Sequence, residues 1–306
     1  MQSNLLRIAP EIQEALNSDS AIVALESTVI THGLPAPDNL ETAIELEQTI
    51  RRKGAIPATI AVIDGVPCIG LTRNSLERLA QNQQAMKLSR ADLPMALART
   101  TTGSTTVAAT MILAALAGIR VFATGGIGGV HRGAELNFDI SADLQELSRT
   151  NLTVICAGAK AILDLPKTLE VLETLGVPVL AYQQDHLPAF WSRKSDLKAP
   201  MRTDSVADIV RFIQARAALQ LSGGVLVCNP VPAKYEIGYA QMAQHVQVAV
   251  DDALANNITG KSLTPWLLSR IAQLTDGQSL QANRALLVHN AQLASELAVS
   301  LADAID

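Results

Sequence analysis

Six short apolar runs, at residues 21–25, 58–64, 119–123, 152–157, 177–181 and 224–228, alternate with amphipathic stretches near 39–53, 89–98, 105–117, 142–149 and 166–175, with longer ones after 203. Such runs are too short for core helices and too uniformly apolar for strands with one wet face. Strands of this kind alternating with helices build a parallel sheet covered on both sides. The expected fold class is therefore α/β, three layers in α/β/α order around a mostly parallel central sheet. Ile63-Asp64-Gly65-Val66 has the form of a hairpin turn and adds a small antiparallel element. Gly176-Val177-Pro178 ends a helix, and Asp38 is placed to cap one. The C-terminal part is a helical elaboration, broken at Gly260 and Gly277. No repeat, low-complexity segment or charged linker divides the 306 residues, so one domain over 1–306 is expected.

Composition narrows the function. Hydrophobic residues are 48% of the chain and charged residues 17%, which excludes a disordered or collagen-like polymer. The net charge is −5 and the longest basic run is Arg51-Arg52-Lys53, so the footprint of a nucleic-acid binder is missing. The most apolar stretch, 107–123, contains Thr110, Gly118 and Arg120 and reads as a helix followed by a strand, with no membrane span. Residues 1–16 hold Glu11 and Glu14 and no long apolar segment, which leaves a cytoplasmic address as the expectation. Cys68, Cys156 and Cys228 form no CxxC pair, so neither a disulfide framework nor a structural zinc site is expected. Cys156 and Cys228 read as small buried hydrophobes. His32, His131, His186, His245 and His289 lack HxxxH or HxH spacing and do not read as metal ligands.

In open α/β sheets ligands bind outside the carboxyl ends of the strands, so the residues that follow each apolar run matter most. Glu26 follows the first run. A carboxylate shielded at a strand end can serve as general acid or base, or simply bridge a loop. Thr124-Gly-Gly-Ile-Gly-Gly-Val-His131-Arg132-Gly133 follows the third. Its glycines would let backbone N–H groups converge on an anion or sugar oxygen, or form a plain turn; the spacing matches neither GxGxxG nor a P-loop. Asp139 and Asp143 then bracket Ser141. Oxygen ligands of this kind suit Mg²⁺ or Mn²⁺, although Ser141 as a helix N-cap explains the pattern equally well. Lys160 follows the fourth run among small apolar residues, near a helix start. Burial and a helix dipole would both favour its neutral amine, the form required for an imine with a sugar aldehyde; an exposed loop lysine is the alternative. Lys87, a helix start expected at Ser89, and the hydroxyl-rich 100–106 segment would suit a phosphate, or be ordinary caps.

Together these blocks resemble one family. VALESTVITHGLP at 23–35, KLSRADLP at 87–94, GSTTVAATM at 103–111, FATGGIGGVHRGAELNFDISADLQEL at 122–147 and VICAGAKAILDLPKTLEVLETLGVPV at 154–179 closely resemble the pseudouridine-5′-phosphate glycosidases, a family that includes indigoidine-cluster A-type proteins. CNPVPAKYEI at 228–237 and TPWLLSRIAQLT from 264 resemble its C-terminal part. The resemblance implies reversible cleavage of pseudouridine 5′-phosphate to uracil and ribose 5-phosphate. Protonating a leaving base cannot by itself release carbon C5 of uracil, whereas opening the ribose and attaching C1′ to an amine lets the carbon–carbon bond break as in an imine-forming aldolase. By this resemblance Lys160 is the nucleophile and Glu26 the proton donor that opens the ring. Asp139 holds one Mn²⁺ per subunit, mostly water-coordinated. Lys87, the Val107 backbone, Ser141, Ala142 and Asp143 touch substrate, with Asp143 also kept as an outer partner of the metal. Asn283 meets the uracil edge, Thr124 and His131 line the pocket, and the assembly is a homotrimer.

Two other readings stay open at this point. A Schiff-base aldolase on another phosphosugar would use the same lysine and ignore uracil. A non-catalytic sugar-phosphate-binding protein would need the phosphate cradle and not Lys160.

Overall fold

The computed structural model describes residues 5–258 and 260–304. Its strands are β1 (Arg7–Ile8), β2 (Ile22–Leu25), β3 (Ile56–Ile63), β4 (Val66–Ile69), β5 (Met86–Leu88), β6 (Gly103–Thr105), β7 (Val121–Ala123), β8 (Thr153–Cys156), β9 (Val179–Tyr182), β10 (Met201–Thr203) and β11 (Val225–Cys228). They join in the order β1-β4-β3-β2-β7-β8-β11-β9-β10, with β6 on the other side of β3 and β5 beside β6. From β3 to β10 along this path every pairing is parallel. All six apolar runs are strands here. β2, β8 and β11 are buried at every position, as expected of strands covered on both faces.

β3 divides its pairing along its length. Ile56 to Thr59 pair with β2, while Ile60 to Ile63 run antiparallel to β4, and Ala61 and Val62 to β6. Ile63 and Val66 face each other across Asp64 (φ 49°) and Gly65 (φ 76°). Two consecutive left-handed residues make the primed turn that suits the strand twist. A Cβ on Gly65 would lie 2.6 Å from the Thr100 Cα, so this turn also needs glycine for space.

The helices are α1 (Pro10–Asn17), α2 (Asp38–Arg52), α3 (Arg73–Gln81), α4 (Leu93–Ala98), α5 (Val107–Ala117), α6 (Ala134–Asn137), α7 (Ala142–Arg149), α8 (Leu165–Thr174), α9 (Val206–Ala218), α10 (Tyr239–Ala255), α11 (Leu263–Leu274) and α12 (Gln278–Asp303). α12 lies over β2, β7 and β8 between α2 and α9, whereas α5 packs on β2 and β3 and against α7. Leu286, Leu287, Leu293 and Leu297 of α12 are buried, each contributing roughly 1.5–3 kcal/mol of transfer free energy at most. Gly176, at φ 68°, closes α8, and Gly277, at φ 79°, separates α11 from α12. Among the described residues, no helix is long and apolar enough to cross a membrane.

Three local expectations fail for identifiable reasons. Asp38 is the first residue of α2 and caps nothing; Pro37 occupies the cap position. The helix expected from Ser89 begins at Leu93, because the Asp92 carboxylate accepts the Ser89 N–H at 2.9 Å and closes a turn first. The segment that opens α5 is strand β6 up to Thr105. Only Thr106 is the cap, its hydroxyl accepting the Ala109 N–H.

Candidate active site

β2 and β7 are neighbours in the sheet, yet the chain leaves β2 for β3 on one side and β7 for β8 on the other. That reversal opens a crevice at the carboxyl ends of the strands, where open α/β sheets bind ligands. A cavity of about 340 Å³ occupies it. Adjacent strand ends deliver Glu26 from β2, the glycine segment from β7 and the Lys160 loop from β8, although these lie far apart in sequence.

Glu26 is held by two hydroxyls, Thr28 Oγ1 on one carboxylate oxygen and Thr124 Oγ1 on the other. The loop carrying it is anchored from below. Ser27 donates to the Ile60 carbonyl at 2.7 Å, and Thr28 Oγ1 lies 2.9 Å from the Thr105 carbonyl.

The segments after β7 and β8 are laced to each other. Ile127 N–H donates to the Gly158 carbonyl and Lys160 N–H to the Ile127 carbonyl, both at 3.1 Å. A Cβ on Gly126 would lie 2.7 Å from the Phe190 ring, and one on Gly128 would overlap Ser141 Oγ. Gly126 and Gly128 therefore serve close packing. The Gly128 N–H is spent on Asp143 Oδ2 at 2.8 Å and so is not open to an anion. Asp143 Oδ1 accepts the Ala108 N–H at 2.9 Å, so this buried carboxylate ties the glycine segment to the start of α5. Ser141 is the N-cap of α7, as its spacing indicates, and accepts the Asp143 N–H at 3.2 Å.

Lys160 Nζ has no hydrogen bond or ion pair among the described residues, and its side chain lines the cavity. Its expected helix start is five residues away: α8 begins at Leu165 and is capped by Asp164, whose carboxylate accepts the Lys167 N–H at 3.1 Å. His131 stands between the charges of the site. Burial pushes its imidazole below the ordinary value, Asp139 pulls the other way, and Lys160 and Lys87 add to the lowering. His32 is lowered by burial and then by Lys87.

Of the eleven residues singled out from sequence, nine line this cavity: Glu26, Lys87, Val107, His131, Asp139, Ser141, Asp143, Lys160 and Asn283. Two do not. Thr124 is buried behind Glu26, and Ala142 is an exposed first residue of α7. Asn283 reaches the cavity from α12, its Oδ1 3.6 Å from where a Gly125 Cβ would stand. His32, Thr106, Phe190, Leu268 and Leu287 are among the other residues that line it. Nothing in their spacing points to a ligand. Only the THGLP stretch containing His32 stands at a strand end where inspection would have found it.

Among the described residues, no group of three His, Cys, Asp or Glu side chains could hold a metal ion. The Asp139 carboxylate makes no hydrogen bond among those residues, while Glu26 and Asp143 are engaged within the protein. One free carboxylate fits a hard cation that keeps most of its water.

The family described as Indigoidine synthase A like protein matches residues 11–300. A pseudouridine-5′-phosphate glycosidase of Solibacter usitatus is 59% identical over 296 residues, covering 97% of this chain and 99% of that protein. One from Escherichia coli K12 is 52% identical over 295 residues, covering 96% and 95%. Among solved structures, the prealnumycin C-glycosynthase AlnA in complex with ribulose 5-phosphate is 37% identical, with TM-score 0.92 and 99% of each chain covered. An indigoidine synthase A-like protein from Thermotoga maritima is 32% identical, with TM-score 0.89 and 97% of each covered. With a crevice built from three adjacent strand ends and a match along nearly its whole length, this chain belongs to the indigoidine synthase A-like family.

Proposed function

We propose that the protein is a pseudouridine-5′-phosphate glycosidase, reversibly cleaving the C1′–C5 bond of pseudouridine 5′-phosphate to give uracil and ribose 5-phosphate. The observation that carries this reading is the meeting of Glu26 and Lys160 in one cavity, supported by near-full-length relatives of that name.

In the cleavage direction the Lys160 amine attacks C1′ and the C1′–O4′ electrons pass to O4′, which takes a proton from Glu26. The ring is then open, and the attacking nitrogen gives its extra proton to the Glu26 carboxylate, which leaves C1′ bearing a secondary amine. Glu26 passes that proton to uracil C5, the C1′–C5 electron pair returns to the base, and the nitrogen lone pair forms the C1′=N bond. Water hydrolyses this imine, which releases the open sugar phosphate and frees Lys160. AlnA is described with ribulose 5-phosphate, a sugar that cannot close a furanose because its O5 is phosphorylated. A protein of this fold in complex with such a sugar supports an open-chain stage.

In this reading Lys87 and the first N–H of α5, at Val107, face the phosphate, and Ser141 contacts the sugar. Asn283 presents an amide that can both donate to and accept from the uracil edge. A Mn²⁺ held by Asp139 and water would supply positive charge to substrate oxygens. Asp143 has both oxygens occupied by backbone N–H groups and acts by holding the glycine segment in place. The protein works in the cytoplasm, within nucleoside salvage, as a homotrimer. Leu136, Phe138 and Ile140, at 86%, 83% and 42% exposure beside Asp139, are the apolar surface such an assembly would cover. Product formation from uracil and ribose 5-phosphate tests the activity, and light scattering tests the assembly.

A further inference from the structure

His32 lines the cavity and has no part in the reaction above. It lies in the π-helical turn Val29–Gly33, six residues beyond Glu26. Such turns recur at functional sites. Asn39 at the start of α2 holds this one by donating to the Ile30 carbonyl at 2.8 Å.

A chain of hydroxyls sets the tautomer of the ring. Thr31 Oγ1 lies 2.5 Å from His32 Nδ1 and donates its own proton to Ser104 Oγ at 2.7 Å. Ser104 Oγ in turn lies 3.4 Å from His32 Nδ1 and donates to the Met86 carbonyl at 3.5 Å. A hydroxyl has one proton. With that of Thr31 directed to Ser104, its oxygen must accept from the ring, which puts the imidazole proton on Nδ1. In the uncharged ring Nε2 then carries a lone pair. Burial, reinforced by Lys87, favours the uncharged form. Nε2 has no hydrogen-bond partner among the described residues.

A lone pair in a ligand cavity calls for a donor. A phosphate dianion offers only acceptors, whereas a pentose offers hydroxyls. Ser104, whose hydroxyl lies 3.4 Å from the His32 ring, pairs with Lys87 across β6 and β5, which sets His32 at the Lys87 end of the cavity. With Glu26 and Lys160 at C1′ and O4′ and Lys87 at the phosphate on C5′, the furanose offers hydroxyls at C2′ and C3′, and that on C3′ is the nearer to the phosphate end. We propose that His32 is a specificity-determining residue whose Nε2 accepts a hydrogen bond from the C3′ hydroxyl of the pentose phosphate. The proposal rests on the reading of the cavity as a pentose 5-phosphate site.

The test is a cycle of substrates against variants. Uracil is condensed with ribose 5-phosphate, its 3-deoxy analogue and its 2-deoxy analogue, by the wild type and by His32→Phe. The wild type should disfavour the 3-deoxy sugar by about 100-fold in kcat/KM. His32→Phe should lose a similar factor with ribose 5-phosphate and with the 2-deoxy sugar, yet stay within about twofold of the wild type on the 3-deoxy sugar. His32→Gln, whose amide oxygen can accept in place of Nε2, should recover part of the preference, which a folding defect would not allow. An equal loss on all three sugars, or a coupling to the 2-deoxy sugar instead, overturns the assignment of His32. A wild type that is inactive with ribose 5-phosphate overturns the pentose-phosphate reading, and this proposal with it.

Discussion

The Thr124 hydroxyl donates to the Glu26 carboxylate across the ends of β7 and β2, joining residues 98 positions apart in sequence. Behind it, Asn290 on α12 donates to the Thr124 carbonyl at 2.8 Å, and Asn229 donates to Asn290 at 3.2 Å. Thr124, Asn229 and Asn290 are all buried and none lines the cavity. One oxygen of the proposed proton donor is therefore held from inside the protein, while Thr28, which holds the other, lines the cavity.

Replacing Thr124 by valine keeps the branched shape and removes that donor. The expected result is a fall in kcat of about ten- to a hundredfold, with KM nearly unchanged. Steady-state kinetics on a variant of native circular dichroism gives the answer. An unchanged kcat would reduce the contact to packing.

Asp143 accepts backbone N–H groups with both oxygens, so Asp143→Asn turns an NH₂ group against one of them. Urea denaturation should show a loss of about 1–3 kcal/mol. A residue that served only to touch substrate would leave stability where it was, and that outcome would contradict the clamp between α5 and the glycine segment.

Stability should fall on mild acidification through the buried histidines. His289 is lowered by burial, partly offset by its contact with the Pro230 carbonyl, and His32 by burial and Lys87. The unfolded chain takes up protons near pH ~6.5 while the folded rings stay neutral, so the unfolded state binds more protons and stability rises with pH across that window. These groups contribute a flat line above pH ~6.5 and a decline from there down to their lowered folded values. Glu47, raised by burial, acts in the opposite sense. Comparing wild type with His289→Gln cancels it. The variant should show the shallower decline between pH 7.5 and 5.5, and identical slopes would remove His289 from the account.

Asp139→Ala should lower activity, and added Mn²⁺ should restore little of it. Titrating the metal against both proteins measures this directly. A variant with the metal dependence of the wild type would end the assignment of Asp139.

The βα alternation and the strand ends were legible because parallel strands buried on both faces leave unbroken apolar runs. β1, β5, β6 and β10 were not, since strands of two or three residues outside a longer apolar run leave no pattern to read, whereas the equally short β7 lies within the run 119–123. Glu26 and Lys160 stood out as the rare charged residues that follow such runs. Thr124 was visible in the same way, but whether a side chain faces the cavity or supports a neighbour depends on adjacency across the sheet, and sequence spacing does not encode that. His32 was passed over for a related reason: spacing tests for metal ligands cannot register an imidazole whose tautomer is set by hydroxyls from β6 and its own turn. At Ser89 a side-chain-to-backbone bond from Asp92 displaced the helix start, a local competition that hydrophobic periodicity does not report.

The most direct test of the central claim mixes the protein with uracil, ribose 5-phosphate and Mn²⁺ and seeks pseudouridine 5′-phosphate by mass and ultraviolet spectrum. Product is expected from the wild type, none from Lys160→Ala, and a borohydride-trapped sugar on Lys160 that the variant lacks. Folded wild type that forms no product, or a Lys160→Ala variant that forms it at the same rate, would contradict it.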